Sequence, residues 1–183
     1  MQLVLFNKPF QVLPQFTSPD GRRSLADYLS LPVLDPAGRL DYDSEGLLLL
    51  TDFGPWQARI SQPGSPLVKR YRVQVEGDPT DDALEPLRRG LLLNDGPTRP
   101  AQAHVIPEPE GLWPRDPPIR SRKAIPTAWI ELELSEGRNR QVRCIAARLD
   151  HQFLSRLQNL IKFVLVAYAC VGKLAAEVNS RVL

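Results

Sequence analysis

The sequence has few of the residues on which several common classes of protein depend. Its two cysteines, Cys144 and Cys170, lack the CxxC spacing of metal and redox motifs, and its two histidines, His104 and His151, are scattered. We therefore expect no bound metal, reduced thiols and a cytoplasmic location. The longest apolar run, residues 163–171, is far shorter than the roughly 20 residues that cross a bilayer as a helix. The N-terminus also lacks the pattern of a secretory signal, so neither a membrane span nor export is predicted.

The chain also has little net charge, +2 from 23 basic and 21 acidic side chains. A protein that binds nucleic acid through bulk charge is more basic than this, so any RNA must be held by local clusters. The 18 prolines concentrate in residues 97–126, which we interpret as one long connection. This connection contains Arg115, Arg120, Arg122 and Lys123, four cations that suit an RNA backbone better than a protein core.

Hydrophobic periodicity predicts the regular elements. Strands are predicted at residues 3–9, in the second half of 38–52, at 69–77, at 127–137 and near 163–170. Helices are predicted at residues 24–30, 55–60 and 79–90, and from 138 to about 160. Trp56 and Trp129 lie in these elements and are predicted to be core residues, whereas Trp113, in the proline-rich connection, stays open.

Three segments, in a fixed order, resemble one known family. They are GRLDYDSEGLLLLTDFG at residues 38–54, KRYRVQVEG at 69–77 and EGRNRQVR at 136–143. They resemble the signature segments of the RsuA-type bacterial pseudouridine synthases. The further segments LFNKPFQVLPQF, LNDGPTRPA and LWPRDPPIRSRKAIPTAW are most similar to the E-type members that act on 23S ribosomal RNA. The resemblance covers residues 3–143.

The resemblance implies a fold, an activity and a partner. The fold is α+β, a mixed and largely antiparallel sheet with flanking helices, divided into two lobes around a basic catalytic cleft. Residues 1–183 are expected to form a single catalytic domain without a preceding RNA-binding domain, acting as a monomer. The implied reaction is the isomerisation of a specific uridine to pseudouridine in 23S ribosomal RNA, with no cofactor.

The resemblance also implies catalytic residues. Asp41 matches the essential aspartate of the family, and a carboxylate suits the reaction because it can attack or stabilise the sugar carbon while the base is detached. Arg143 is implied to pair with this aspartate, which would keep the carboxylate charged. Tyr71 is the residue predicted to stack on the uracil, where its hydroxyl could also help to remove the C5 proton.

Further basic side chains are predicted to bind RNA. Arg39 lies two residues before the aspartate, where it could contact phosphate or fill the gap left by an extruded nucleotide. The complete predicted RNA-binding set is Arg39, Lys69, Arg115, Arg120, Arg122, Lys123, Arg138 and Arg140.

Each of these residues also has an ordinary structural interpretation. A single aspartate in a polar loop is usually a turn or cap residue, and a tyrosine in an alternating strand usually packs in the core. The arginines between residues 138 and 148 could form a solvated helix face. Asp43, beside Asp41, would allow a glycoside hydrolase with paired carboxylates, although the sequence shows no carbohydrate-stacking residues around them.

The tail, residues 144–183, departs from the family pattern. Cys144 and Ile145 stand where relatives carry arginine and methionine, and the later glycine turn is missing. We expect a divergent tail to weaken the support behind Arg143 and so to lower activity. A noncatalytic RNA-binding relative is therefore the alternative to an active enzyme.

Overall fold

The computed structural model describes residues 1–31, 33–62, 65, 67–110, 112, 114–118, 126–152, 160–168 and 180–182. The chain divides into two compact units, which we describe separately. The first unit comprises residues 1–67 and 164–183, and the second comprises residues 68–163.

The described residues form ten strands and three α-helices. The strands are β1 Leu3–Lys8, β2 Asp35–Pro36, β3 Glu45–Thr51, β4 Lys69–Glu76, β5 Leu92–Leu93, β6 Gly96–Pro97, β7 Gln102–Ile106, β8 Thr127–Leu134, β9 Leu160–Tyr168 and β10 Ser180–Val182. The helices are α1 Gly54–Ser61, α2 Glu85–Arg89 and α3 Gln141–Gln152, with short 3₁₀ turns at Leu25–Asp27 and Asp81–Leu84.

Strand β3 is central in the first unit. It pairs antiparallel with β1 along six residue pairs, from Leu3 opposite Thr51 to Lys8 opposite Gly46. Its other edge is shared by β2, which pairs near Thr51, and by β9, which pairs in parallel at Glu45. Strand β10 adds in parallel to the outer edge of β1. The leucine run of β3 is buried because both faces of the strand are covered, which explains its continuous rather than alternating hydrophobicity.

Helix α1 begins at Gly54, directly after β3, and has a proline in its first turn, where the missing N–H has no helical partner to lose. Trp56 and Ile60, four residues apart, form its buried face, and the Trp56 ring meets that of Phe53 edge-on with centroids 5.5 Å apart. The burial of Trp56 confirms its prediction as a core residue.

Strand β8 is central in the second unit. It pairs antiparallel with β4 along the full length of both strands, and with β7 on its other edge. Side chains alternate as the sequence predicts: Tyr71 is buried opposite Leu132, whereas Arg70 donates from the outer face to the Glu133 carboxylate over 2.8 Å. Trp129 is also buried, as predicted.

Helices α2 and α3 cover the buried face of β4 and β8. Leu87 of α2 and Val142 and Ile145 of α3 line one small apolar space together with Val73 and Ile130 of the strands. The start of α3 is thereby fixed against β4 and β8 by apolar packing.

The structure confirms the α+β class and the mixed, largely antiparallel pairing. Several boundaries were wrong, because short polar segments carry weak periodicity. The helix predicted at 24–30 is only the 3₁₀ turn at Leu25–Asp27, and α3 is assigned to Gln152, with residues 153–159 outside the described range. The last predicted strand is β9, which begins at Leu160, three residues before the predicted start.

The proline-rich stretch 97–126 is not a plain connection. Its first part contains the edge strand β7, which pairs with β8 from Gln102 to Ile106. The preceding hairpin of β5 and β6 was also missed, although Asn94 and Asp95 are typical turn residues. Prolines at an edge remove few ladder hydrogen bonds, so a proline-rich neighbourhood does not exclude an edge strand.

Candidate active site

Asp41 lies in a tight turn that leads into β3. The Ser44 N–H donates to the Asp41 carbonyl over 3.0 Å, and β3 begins at the next residue, Glu45. Leu40 is buried and anchors the turn in the protein interior, whereas Arg39 is exposed. Asp41 itself is half-buried, so its side chain is held at the border of protein and solvent.

A second loop, which contains Gln11, is hydrogen-bonded to this turn. The Gln11 N–H donates to the Tyr42 carbonyl over 2.9 Å, and Gln11 adopts a left-handed backbone conformation with φ 56°. The guanidinium of Arg22 lies over the Tyr42 ring, 4.9 Å from its centroid, and pairs with Asp20 over 2.6 Å. The residue next to Asp41 is therefore restrained through both its backbone and its ring.

Lys8 supplies a buried positive charge to the same place. It is the last residue of β1, it is fully buried, and its ammonium donates to the carbonyls of Pro9 and Val12 over 2.9 Å each. Burial lowers the pKa of Lys8 to about 8, against the opposing attraction of Glu45, Asp41 and Asp43. The charged amine thus lies within the field of the predicted catalytic carboxylate.

Sequence reasoning missed Lys8. The signal that could have identified it is its position in LVLFNKP, where the alternation of β1 places a lysine on the buried face. A buried lysine needs hydrogen-bond partners or opposite charge, and the acidic segment 41–45 provides the charge.

In the second unit, β4 presents Tyr71 and Lys69 on one face, two residues apart. Tyr71 is nine per cent exposed, and burial lowers the pKa of Lys69 below its usual value. The Lys69 amine lies over the backbone of Gly137: a side-chain Cβ built there would lie 2.3 Å from the Lys69 nitrogen. Because Gly137 has no side chain, the Lys69 amine can occupy this space.

Arg143 lies in the first turn of α3 and is half-buried. Its N–H donates to the Arg140 carbonyl over 3.0 Å, as does that of Cys144 over 3.1 Å. Arg140 is exposed and has a left-handed φ of 51°, so the chain bends sharply before the helix begins.

The other predicted RNA-binding residues have different surroundings. The Arg138 guanidinium donates to Asp95 over 3.0 Å and to the carbonyls of Gly96 and Pro97, within its own unit. Arg115 donates to the Pro117 carbonyl over 3.2 Å. Arg120, Arg122 and Lys123, like Trp113, lie outside the described residues.

The structure thus assembles the predicted site in two groups. Asp41 joins Lys8, Asp43 and Glu45 in the first unit. The second unit holds Lys69, Tyr71 and Arg143. The pairing of Asp41 with Arg143, and the stacking role of Tyr71, stay predictions.

The described residues contain neither a candidate metal cluster nor a candidate membrane span. No group of three or more histidine, cysteine, aspartate or glutamate side chains is placed to hold a metal ion. No helix in this part of the chain is both long and apolar enough to span a membrane.

Comparison with known proteins identifies the class to which this fold and these segments belong. The family model described as RNA pseudouridylate synthase matches residues 2–148. The chain therefore belongs to the RNA pseudouridylate synthase family. The resemblance to the RsuA-type enzymes, and to their E-type members, is confirmed by the relatives that follow.

The chain is 54% identical over 147 residues to the ribosomal large subunit pseudouridine synthase E of Xanthomonas campestris pv. campestris, covering 79% of each protein. It is 52% identical over 148 residues to the synthase of the same name from Vibrio vulnificus, covering 81% of this chain and 63% of the relative. A crystal structure of a pseudouridylate synthase matches with a TM-score of 0.68 at 26% identity, over 91% of this chain and 62% of that one. The chain thus spans less than two thirds of the Vibrio relative and of the solved structure.

Proposed function

We propose that this chain isomerises a uridine of large-subunit ribosomal RNA to pseudouridine, with Asp41 as the catalytic carboxylate and without a cofactor. The observation that carries the proposal is the Asp41 turn, which lies within the family match and in the field of the buried Lys8 ammonium. The names of the relatives suggest the substrate class, since those that are 52% and 54% identical to this chain are large-subunit synthases.

The reaction breaks the bond between the ribose C1′ and uracil N1, turns the detached base, and joins C5 to C1′. Asp41 attacks or stabilises C1′ while electron density leaves with the base, and it departs when the new bond forms. The C5 proton is then lost to a base, for which Tyr71 is the candidate. No oxidation or reduction occurs, so the atoms of uridine are conserved and no redox partner is needed.

The uridine must leave its helix or loop before it can reach Asp41, at a cost of a few kcal/mol. Cations compensate for this cost by contacting the phosphates on either side. Arg39 beside Asp41, and Lys69 and Arg140 in the second unit, are assigned this role. The chain is proposed to act as a cytoplasmic monomer.

Substituting Asp41→Asn, with Asp43→Asn as the matched control in the same turn, tests the proposal. Asp41→Asn should lower tritium release from 23S RNA labelled at uridine C5 by more than about 1,000-fold, as expected for loss of a nucleophile. Its RNA affinity should stay within about twofold. Asp43→Asn keeps the neighbouring carboxylate and should retain activity.

Appreciable turnover by Asp41→Asn would count against the assignment. The noncatalytic alternative, which the end of the family match at residue 148 supports, predicts another outcome. In that case the unaltered chain would bind 23S RNA with salt-dependent affinity but would release no tritium. Free uracil as product would instead indicate glycoside hydrolysis.

A further inference from the structure

Glu136 lies at the centre of a polar cluster just before α3. One carboxylate oxygen accepts from the Arg99 N–H over 3.0 Å and from the side-chain amide of Gln141 over 2.6 Å. The other oxygen lies 3.6 Å from the Arg138 guanidinium. Gln141 is buried, and its amide oxygen in turn accepts from the Arg138 N–H over 3.1 Å. We call Glu136, Arg138 and Gln141 the helix latch.

The helix latch fastens α3 to the hairpin of β5 and β6. Arg138 reaches the Asp95 carboxylate and the carbonyls of Gly96 and Pro97, as described above. Arg99, which follows the hairpin, donates through its guanidinium to the Ser135 carbonyl over 3.4 Å. The segment that precedes the helix is therefore tied to the hairpin by both backbone and side-chain groups.

We propose that Glu136 is a positioning residue for Arg143, and that Arg138 belongs to the helix latch rather than to the RNA contacts. The inference rests on the proposed function, because it assigns a role toward the reaction to a carboxylate that does not reach the substrate. Arg143 is the third residue of α3, and Gln141 is the first. Fixing Gln141 therefore fixes Arg143 within one helical turn.

Local backbone geometry makes such a restraint necessary. Arg140 has a left-handed φ, which a residue with a side chain adopts only when its surroundings impose it. The first N–H groups of a helix also lack helical partners, so the start of a helix frays readily. Gln141 reaches back to the Arg138 N–H as the glutamine of a capping box does, and Glu136 holds that glutamine in place.

The contacts of Arg138 oppose its use in RNA binding. Its guanidinium already donates to one carboxylate and two carbonyls, and its side chain is only 20% exposed. Turning it toward a phosphate would break all three of these contacts. A phosphate contact would instead suit a cation such as Arg140, which is exposed.

The kinetic test compares Glu136→Gln with the matched control Glu133→Gln. Glu133 lies three residues earlier and accepts from Arg70 on the outer face, so both changes remove one acidic charge from an ion-paired carboxylate. Glu136→Gln should lower kcat about tenfold and leave KM within about twofold, because misplacing a transition-state contact acts on the chemical step. Glu133→Gln should change neither.

A double-mutant cycle separates positioning from a general structural role. In an Arg143→Lys background, measured under single-turnover conditions, Glu136→Gln should cost less than about twofold, because the group it positions is already lost. The same tenfold loss in both backgrounds would overturn the inference. A rise in KM with unchanged kcat would also overturn it.

A readout that needs no activity distinguishes failure of this inference from failure of the proposed function. Amide hydrogen exchange at Arg143 and Cys144 in the RNA-free chain should become at least about tenfold faster in Glu136→Gln and stay unchanged in Glu133→Gln. If the unaltered chain makes no pseudouridine, the proposed function fails and this exchange result alone decides whether the latch orders the helix start. Unchanged exchange would refute the latch.

Salt dependence tests the reassignment of Arg138. Replacing Arg140 with glutamine should lower the slope of log affinity against log salt by roughly 0.7 to 0.9, the value for one lost phosphate contact. Arg138→Gln should leave that slope unchanged. An equal drop for both variants would return Arg138 to the RNA-binding set.

Discussion

At the scale of single residues, the first unit is distinguished by a fully buried lysine. Lys8 keeps its charge beside an acidic turn although burial favours the neutral amine. A charge buried in this way usually costs stability, so its presence requires another reason. The proximity of Asp41 provides one, since a fixed cation orders the carboxylates around it.

The lowered pKa of Lys8 predicts how stability changes with pH. The folded chain releases this proton near pH 8, whereas the unfolded chain holds it to about pH 10.5. Between these values the unfolded state binds more protons, so the contribution of Lys8 to the free energy of unfolding rises with pH. Relative to Lys8→Met, the unaltered chain should gain about 3 kcal/mol over this window. Denaturant unfolding of both chains at several pH values measures it, and a constant difference would contradict the burial described.

A second residue-scale prediction concerns Lys69 and Gly137. Among the described residues the Lys69 amine has no hydrogen-bond or ion-pair partner, and it occupies the space that a Gly137 side chain would fill. Gly137→Ala should displace this flexible amine and weaken RNA binding about tenfold, as Lys69→Met should. The double variant should bind no more weakly than Lys69→Met alone.

Gly54→Ala provides the control for this experiment, because a Cβ at that residue meets no atom within 4 Å. Filter binding to 23S RNA fragments would measure all four variants. If the losses from Gly137→Ala and Lys69→Met simply added, the glycine would act through something other than the amine.

At the scale of elements, the junction between α2 and the hairpin of β5 and β6 depends on Gly90. This residue ends α2 with φ 99°, and a Cβ there would lie 2.7 Å from the Thr98 carbonyl oxygen. Thr98 closes the neck of the hairpin, since it exchanges hydrogen bonds of 2.7 and 2.9 Å with Leu91. The helix end and the hairpin neck therefore form one structural joint.

Gly90→Ala should strain this joint through both its backbone angle and its contact with Thr98. A cost of about 1 to 3 kcal/mol is expected, which for a chain of this size lowers Tm by about 5 °C. Gly54→Ala, at the start of α1 and without a left-handed φ, should change Tm little. Calorimetry on the three chains tests this, and an unchanged Tm for Gly90→Ala would contradict the geometry of the joint.

At the scale of the whole molecule, the sequence predicted the elements with strong patterns. Strands β4 and β8 alternate along their length because one face of each is buried and the other carries ion pairs, and β3 follows its turn as expected. Edge strand β7 and the small hairpin were missed, because edge and turn segments bury too little to impose a pattern. The placement of β7 also depends on a pairing partner, β8, that is distant in the sequence.

The candidate site was predicted from short motifs. Asp41, Tyr71 and Arg143 were proposed from their neighbours along the chain, and their roles stay predictions. Lys8 could not be recognised as part of the Asp41 surroundings, because only the pairing of β1 with β3 brings residues 8 and 41–45 together. Arg138 resembles a nucleic-acid contact in the sequence, and only the folded hairpin shows its acceptors.

The register of β1 against β3 has a consequence for folding fidelity. Side chains alternate between the faces of a strand, so sliding β1 by one residue would turn Lys8 outward and bring Asn7 to its place opposite Gly46. The same slip would move Val4 and Phe6 off the buried face, where they could associate with other chains. A single slip would thus have two effects. The sheet would lose the cation beside the acidic turn, and it would become prone to aggregate. Correct pairing of β1 with β3 therefore both assembles the surroundings of Asp41 and keeps these apolar side chains covered.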